Sequence, residues 1–328
     1  MAMKLLLVGD VMLGRQVNAM LADAPPELPW GDTLPLFQAA DFRVCNLECV
    51  ISDRGRPWSN PPKTFHFRSD AKNVAVLQAA GIDAVSIANN HTLDYEHDAL
   101  GEMLKNLDAA GIGHAGAGMN LAEAARPAIR ERAGLRIGLI AFSNNEPNWA
   151  ATATTPGIWY VPIDPDDERA IHLFERIRQA KETVDFLIVS AHWGPNWGRR
   201  PQPHHIPFAH ALIDAGADLV FGHSGHVVQG VEIHENRPIL YCTGDFIDDY
   251  AVDEIERNDQ SFIFCVETEA KRTRRVLMYP TLIRQFRATR ADRGNAEQMA
   301  GMMQSLCNEF GTVAEWRAQD QYLEVALI

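Results

Sequence analysis

Residues 185–226 read DFLIVSAHWGPNWGRRPQPHHIPFAHALIDAGADLVFGHSGH. Two short apolar runs bracket a helical stretch near 205–215, and each run breaks off into a polar cluster that contains histidine. The first gives His192-Trp193-Gly194, the second Gly222-His223-Ser224-Gly225-His226. Strands alternating with a helix predict an α/β unit with a sheet covered by helices. Side chains at the carboxyl ends of neighbouring strands converge in space even when they are far apart in sequence.

Working outward, the same punctuation recurs. Gly9-Asp10 follows KLLLV, Asn46-Leu47-Glu48 follows FRVC, and Asn89-Asn90-His91 follows DAVSIA. A single Asp or Glu beyond a strand is unremarkable, because it can cap the next helix. A lone buried His is usually a hydrogen-bonded core residue. Here three of five clusters carry His and every cluster carries a ligand type, which points to a metal site. Imidazole with carboxylate suits Zn, Mn, Fe or Ni rather than Ca or Mg.

Strands are expected near 4–8, 42–46, 83–88, 112–115, 136–142, 185–191, 218–222, 228–234 and 237–242. Helices are expected near 14–22, 33–39, 70–80, 96–110, 166–181 and 205–215. Asp70 is placed to cap the helix that Gly81 ends, and Gly111 ends the next one. After Gly244 the pattern changes. Phe262–Thr268 and Val276–Ile283 follow each other without a helix between them, so they are expected to pair antiparallel. A Met-rich helix over Asn295–Phe310 and a last strand over Tyr322–Leu327 complete the chain. The loop-rich stretches 51–66 and 144–165 are long enough to be expected either functional or poorly ordered.

The 328 residues carry 30 Lys plus Arg against 43 Asp plus Glu, a formal charge of −13. So acidic a chain is a poor general binder of nucleic acid, whose affinity comes from cations on phosphates. No run approaches the roughly 20 apolar residues of a membrane span, and no signal peptide is visible, which predicts a cytoplasmic protein. The five thinly spread cysteines read as reduced thiols. Cys45 and Cys49 flank the Asn46/Glu48 cluster and are expected to pack as buried hydrophobes rather than to bind metal.

The ordered set GDVMLGR, NLECVIS, FRS, ANNHTLDY, AGIGHAGAG, SAHWG, GHSGHVVQG and TGDF resembles the bacterial capsule-synthesis, poly-γ-glutamate proteins of the CapA type. That family resembles a branch of the calcineurin-like metallophosphoesterases. The resemblance runs from Met3 to about Phe310. It implies a four-layer αββα sandwich, two mixed sheets flanked by helices, with residues 1–328 forming one domain and about 270–328 a strand–helix extension. It also implies a divalent transition-metal site of one or two ions (Mn, Fe or Zn). By motif, Asp10 and His226 bind the first metal, Glu48 bridges, and Asn90, His192 and His223 bind the second. His91 serves as acid or as hydrogen-bond donor to the leaving group, and Arg15 and Arg68 contact an anionic substrate.

The chain departs from the superfamily pattern at Met12, where an imidazole ligand is expected, and at Asp245, where the family often has Asn. The implied activity is metal-dependent hydrolysis of a phosphoester. Amide hydrolysis or transfer on poly-γ-glutamate is the alternative, with Lys63, Arg68, Arg199 and Arg200 as a cationic lane. A non-catalytic role beside capsule-synthesis partner proteins is the third. The substrate is expected to be a small or polymeric anion.

Overall fold

The structure is a computed structural model that describes residues 2–327. Four parallel strands open the first sheet: β1 (Ala2–Val11), β2 (Phe42–Leu47), β3 (Ala84–Ser86) and β4 (Gly113–Ala115). The chain then builds a second sheet from β5 (Ala128–Arg132), β6 (Leu135–Ser143), β7 (Phe186–His192), β8 (Leu219–His223), β9 (Val231–His234) and β10 (Arg237–Leu240). It returns to the first with β11 (Asp245–Ile247), β12 (Gln260–Glu269), β13 (Arg272–Arg284), β14 (Arg287–Arg290), β15 (Glu315–Arg317) and β16 (Tyr322–Ala326). Both sheets are mixed. β12 and β13 pair antiparallel, as their consecutive spacing predicts, and β12 also lies antiparallel to β1. The partly buried, charged β5 escaped the sequence reading, because only alternate residues of a half-covered edge strand need be apolar.

The longer helices are α1 (Arg15–Met20), α2 (Leu34–Gln38), α3 (Val74–Ala79), α4 (Glu96–Ala109), α5 (Glu168–Lys181), α6 (His205–Asp214) and α7 (Arg293–Asn308). Successive strand residues point to opposite faces, and β1 shows the consequence. Leu5 and Leu7 enter a core shared by both sheets, with Val44, Ile137, Ile188, Phe221 and Phe264. Leu6 and Val8 face the other way, toward Leu100, Met103 and Leu107 of α4. On the far side, Leu187, Val189 and Val220 meet Leu173 and Ile177 of α5 and Phe208 and Leu212 of α6. These three cores define four layers, helix–sheet–sheet–helix. Each fully buried Leu or Phe in them contributes roughly 1.5–3 kcal/mol.

Gly81 and Gly111 end their helices in the left-handed region, at φ 66° and 72°. Asp70 departs from expectation: its carboxylate accepts from Asn18 Nδ2 at 3.2 Å and makes no cap bond to the helix. Among the described residues no helix is long and apolar enough to cross a membrane.

Candidate metal centre

Strand register gathers the polar clusters. β7 and β8 pair in parallel with His192 directly opposite His223, so both imidazoles leave the sheet edge side by side. In the first sheet Asp10 pairs with Asn46 of β2 and with Asp245 of β11. Two glycines allow the close approach. A Cβ on Gly9 would stand 1.8 Å from the Gly244 carbonyl oxygen, and one on Gly222 would stand 2.0 Å from that of Tyr241. The turn after β8 is strained: Ser224 and His226 have φ of 100° and 58°, an arrangement that costs about 1–3 kcal/mol per residue. That strain turns His226 back toward Asp10, 3.6 Å away, and Asp245, 2.8 Å away.

Two groups of ligand atoms result, each with its members within 4.8 Å of one another: Asp10, Glu48, His226 and Asp245, and Asp10, His192 and His223. The side chain common to both is Asp10. Asn90 joins the second group through Oδ1, 3.1 Å from His192 Nε2. Met12 is buried and turned aside, its sulfur accepting from Gly14 N at 3.0 Å. The first group contains the Asp245 carboxylate in addition to the His226 imidazole.

The buried polar atoms test whether a cation fits. Both oxygens of Glu48, Oδ2 of Asp10 and Oδ2 of Asp245 are buried without a hydrogen-bond partner. An ionised carboxylate in that state is very costly unless a cation compensates it. With protein groups alone around it, Glu48 is held well above the usual carboxylate range, first by burial and then by Asp10. Burial likewise raises Asp245, to about 6, against the pull of His226. Burial opposes the charged form of His226, but Asp245 and Asp10 prevail and lift it to about 9. Four such oxygens beside three imidazoles suit a divalent transition metal.

Hydrogen bonds hold the ligands in place. Asn46 donates to Asp10 Oδ1 at 2.7 Å, Asn89 donates to Asn46 Oδ1 at 3.1 Å, and Asn89 accepts from His91 N at 3.0 Å. On the other sheet one tautomer assignment satisfies a whole chain of contacts. Without an ion, the Ser190 hydroxyl donates to His223 Nε2 (2.7 Å), His223 Nδ1–H to His192 Nδ1 (2.7 Å), and His192 Nε2–H to Asn90 Oδ1. An ion held by these rings would require the other His223 tautomer, with Nε2–H donating to Ser190 Oγ. Burial keeps both rings neutral, pulling His223 down to about 4 and His192 well below its ordinary value.

His91 sits at the mouth of this centre, its ring stacked on Phe67 with centroids 3.9 Å apart. Its Nδ1 meets Asp94 Oδ2 at 2.6 Å, and its Nε2 lies 3.9 Å from Glu48 Oε1. Asp94 is held in turn by Lys63 Nζ at 2.6 Å and by Phe67 N at 2.6 Å. Burial lowers His91 to about 4, opposed by Asp94.

A cleft of about 560 Å³ opens over His91, Asn90 and His226. Arg15, paired with Asp249 at 3.3 Å, and Lys63 line it, as do Phe65, Trp197 and Tyr250. Arg68 is not brought there: its guanidinium lies 4.3 Å over the Tyr95 ring. The cationic lane is dispersed as well. Arg199 donates to the Glu256 carbonyl, and Arg200 forms a bidentate pair with Glu309. Trp149, Trp159 and Trp193 are buried in the cores, whereas Trp197 borders the cleft. Cys45 and Cys49 are buried thiols, and burial pushes Cys49 up to about 12.

The sequence reading missed Lys63 as a partner of Asp94, and Asp94 as the orienter of His91. The signal was present in the HTLD spacing, which sets a carboxylate three residues after the imidazole. It also missed Asp248 and Asp249, the acidic pair behind TGDF.

Comparison with known proteins bears on the fold and the family. The fold resembles a crystal structure of a novel phosphatase from Mycoplasma pneumoniae, with TM-score 0.52, 12% identity, 86% of this chain and 94% of that one covered. It also resembles a hypothetical protein from Thermus thermophilus, with TM-score 0.50, 16% identity and coverage of 85% and 98%. The chain therefore shares its fold with these two proteins. A family model described as bacterial capsule synthesis protein PGA_cap matches residues 4–250. A "probable polyglutamine synthesis accessory protein" of Mycobacterium tuberculosis is 31% identical over 98% of this chain and 95% of its own length. The "PGA biosynthesis protein CapA" of Bacillus subtilis is 30% identical over 74% of this chain and 62% of its own. The chain belongs to the bacterial capsule-synthesis PGA_cap family.

Proposed function

We propose that the protein is a metal-dependent hydrolase acting on a phosphoester. The observation that carries this reading is the set of buried, unpartnered oxygens on Asp10, Glu48 and Asp245, gathered with His226 under an open cleft. Asp10, Glu48, His226 and Asp245 would hold one divalent ion, and Asp10, Asn90, His192 and His223 a second. Bound there, such an ion supplies Lewis acidity and lowers the pKa of a coordinated water.

The remaining steps belong to the chain's own residues. Arg15 and Lys63 receive the anionic group of the substrate, while Phe65, Trp197 and Tyr250 exclude water from its apolar part. Asp94 accepts the Nδ1 proton of His91 and so presents Nε2 to the cleft. An anionic substrate beside that atom favours the protonated ring, and Nε2–H then donates to the leaving oxygen. Lys63 holds Asp94 in position through its contact at 2.6 Å.

The names of the relatives favour a second reading, in which the bond cleaved or formed is the amide of a γ-linked glutamate chain. One assay separates the two. Metal content of the purified protein is measured, and Mn-, Fe- and Zn-loaded samples are given a phosphoester panel and a γ-glutamyl oligomer. Phosphoester hydrolysis is expected, with His91→Ala lowering kcat by roughly 10²–10⁴ at unchanged metal content. Cleavage of the oligomer alone would move the assignment to amide chemistry. Metal-loaded protein inert toward both would leave the non-catalytic role beside partner proteins.

A further inference from the structure

A second group of nitrogen and oxygen ligands lies away from the centre, between α6 and the edge strand β9. His210 and Asp214 occupy neighbouring positions one turn apart on the helix. Glu232 and His234 are two residues apart and share one face of the strand. Register puts Glu232 opposite Ile239, which lies opposite Val220 in β8. The group therefore sits part-way down the sheet, short of the strand end that carries His223.

His210 Nε2 meets Glu232 Oε1 at 2.8 Å, and ligand atoms of His210, Glu232 and His234 all lie within 4.8 Å of one another. The two imidazoles are parallel, with centroids 3.8 Å apart and planes at 3°. Glu232 is gripped from behind: its Oε2 accepts from the Tyr241 hydroxyl at 2.6 Å. Tyr241 stays protonated, since burial and that same bond raise its pKa. The His234 side chain, by contrast, makes no hydrogen bond among the described residues, and its Nε2 lies 3.8 Å from Asp214 Oδ1. The side chains of His210 and His234 are about one-third and one-quarter exposed (30% and 24%), so an ion can reach them.

We propose that His210, Glu232 and His234, completed by Asp214, form a second transition-metal site, and that zinc bound there clamps α6 to the edge strand. Two imidazole nitrogens and one or two carboxylates make a borderline donor set that favours Zn over Mg or Ca. A carboxylate already oriented by a hydrogen-bonding tyrosine is the support such ligands normally receive. Zinc at His210 Nε2 takes the place of the hydrogen bond to Glu232, the proton of the neutral ring then residing on Nδ1. β9 pairs on one side only, with β10, and cross-linking it to a helix stabilises the sheet edge by binding the folded state alone.

The test is zinc binding by the full chain after chelator treatment, read as zinc per chain and as the zinc-dependent rise in Tm. The wild type is compared with His210→Ala/His234→Ala, with Glu232→Gln, and with a centre variant, Asp10→Asn/His192→Ala/His226→Ala, which leaves His223 as the one imidazole of the two centre groups. The paired-histidine variant is expected to bind one zinc fewer, and Glu232→Gln to bind that ion on the order of tenfold or more weakly. The centre variant is expected to keep the ion and its Tm rise, and X-ray absorption on that sample to show two imidazole ligands. Should the paired-histidine variant be folded and bind as many ions as the wild type, the cluster is a hydrogen-bond network only. Should it fail to fold, absence of imidazole coordination in the zinc-loaded centre variant overturns the proposal equally.

Discussion

Two clefts of nearly equal size lie at opposite ends of the sandwich. One, of about 560 Å³, opens over the carboxyl ends of β1, β7 and β8; the other, of about 590 Å³, lies at the amino ends of β7, β8 and β10. Both are lined by charged side chains, but the charges stand in different states. In the second, Lys181 meets Asp218 at 2.5 Å and Lys271 meets Asp185 at 2.6 Å. Both carboxylates also accept from the backbone, Asp218 from Leu187 N and Asp185 from Arg136 N. Beneath the first, next to its lining residue His226, the carboxylates of Glu48, Asp10 and Asp245 retain buried oxygens with no hydrogen-bond partner. Volume therefore distinguishes nothing. What marks the first cleft is an electrostatic debt that the protein alone leaves open and a cation would close.

The largest test of that contrast is Asp94→Asn. The substitution keeps the shape but removes the charge that fixes the His91 tautomer, so kcat should fall on the order of 10²–10⁴. Metal content should hold, because Asp94 belongs to neither ligand group. Asp218→Asn, at the other cleft, should leave kcat unchanged. Equal behaviour of the two variants would remove the distinction between the clefts.

How much of this was legible in the sequence follows from what each feature depends on. The strand ends were legible because an apolar run must stop where polar side chains begin, and Asp10, Glu48, Asn90, His192, His223 and His226 all sit at such stops. Register was not legible. Nothing local states that Asp10 pairs with both Asn46 and Asp245, 36 and 235 residues downstream, and that pairing is what supplies the Asp245 carboxylate near Met12. Arg68 shows the converse failure. A cation near a motif reads as an anion contact, but the direction of its side chain was decided by Tyr95, 27 residues away in sequence. Edge strand β5 was invisible because its residues are only partly buried.

A third buried group sharpens the comparison by needing no counter-charge. His205 is buried against Trp193, ring centroids 5.0 Å apart, and its Nε2 has no partner. An imidazole avoids the carboxylate's difficulty by remaining neutral, and burial, with His204 beside it, lowers His205 from 6.5 to about 4. Between those values the unfolded chain takes up a proton that the folded chain refuses. Stability contributed at neutral pH is therefore lost as pH falls from about 6.5 toward 4, and this slope vanishes below about 4. The loss should be on the order of 2–3 kcal/mol. Urea denaturation of wild type and His205→Phe at pH 7 and pH 5 measures it, the variant being the less acid-sensitive of the two.

Glu48→Gln should separate function from stability at the centre itself. Gln cannot ionise, so it replaces a carboxyl that burial and Asp10 hold well above its ordinary range, at a cost to the metal-free fold near neutral pH, with an amide that can donate to Asp10. Chelator-treated variant should be more stable than chelator-treated wild type by about 1–3 kcal/mol in urea, while its retention of Mn or Zn falls. An unchanged or lower metal-free stability would mean that Glu48 is already satisfied within the protein, and the cation argument would lose its main support.

The smallest effect should come from the satisfied cleft. Lys271→Ala removes the partner of Asp185, whose pKa is lowered by the Lys271 hydrogen bond and then by Arg136 N. A lowered carboxylate contributes stability above its ordinary pKa and loses it as pH falls, so any destabilisation should be seen at pH 7 and fade in acid. The Lys271 side chain is more than half exposed, at 58%, and pairs of that kind are worth about 0–1 kcal/mol. Asp185 also keeps its Arg136 N bond at 2.8 Å. Denaturation in urea should therefore shift by less than about 1 kcal/mol, with metal content and kcat untouched. A change in either of those would show that the two ends of the sandwich are coupled, because Lys271 lies at the opposite end of the strands from every ligand at the centre.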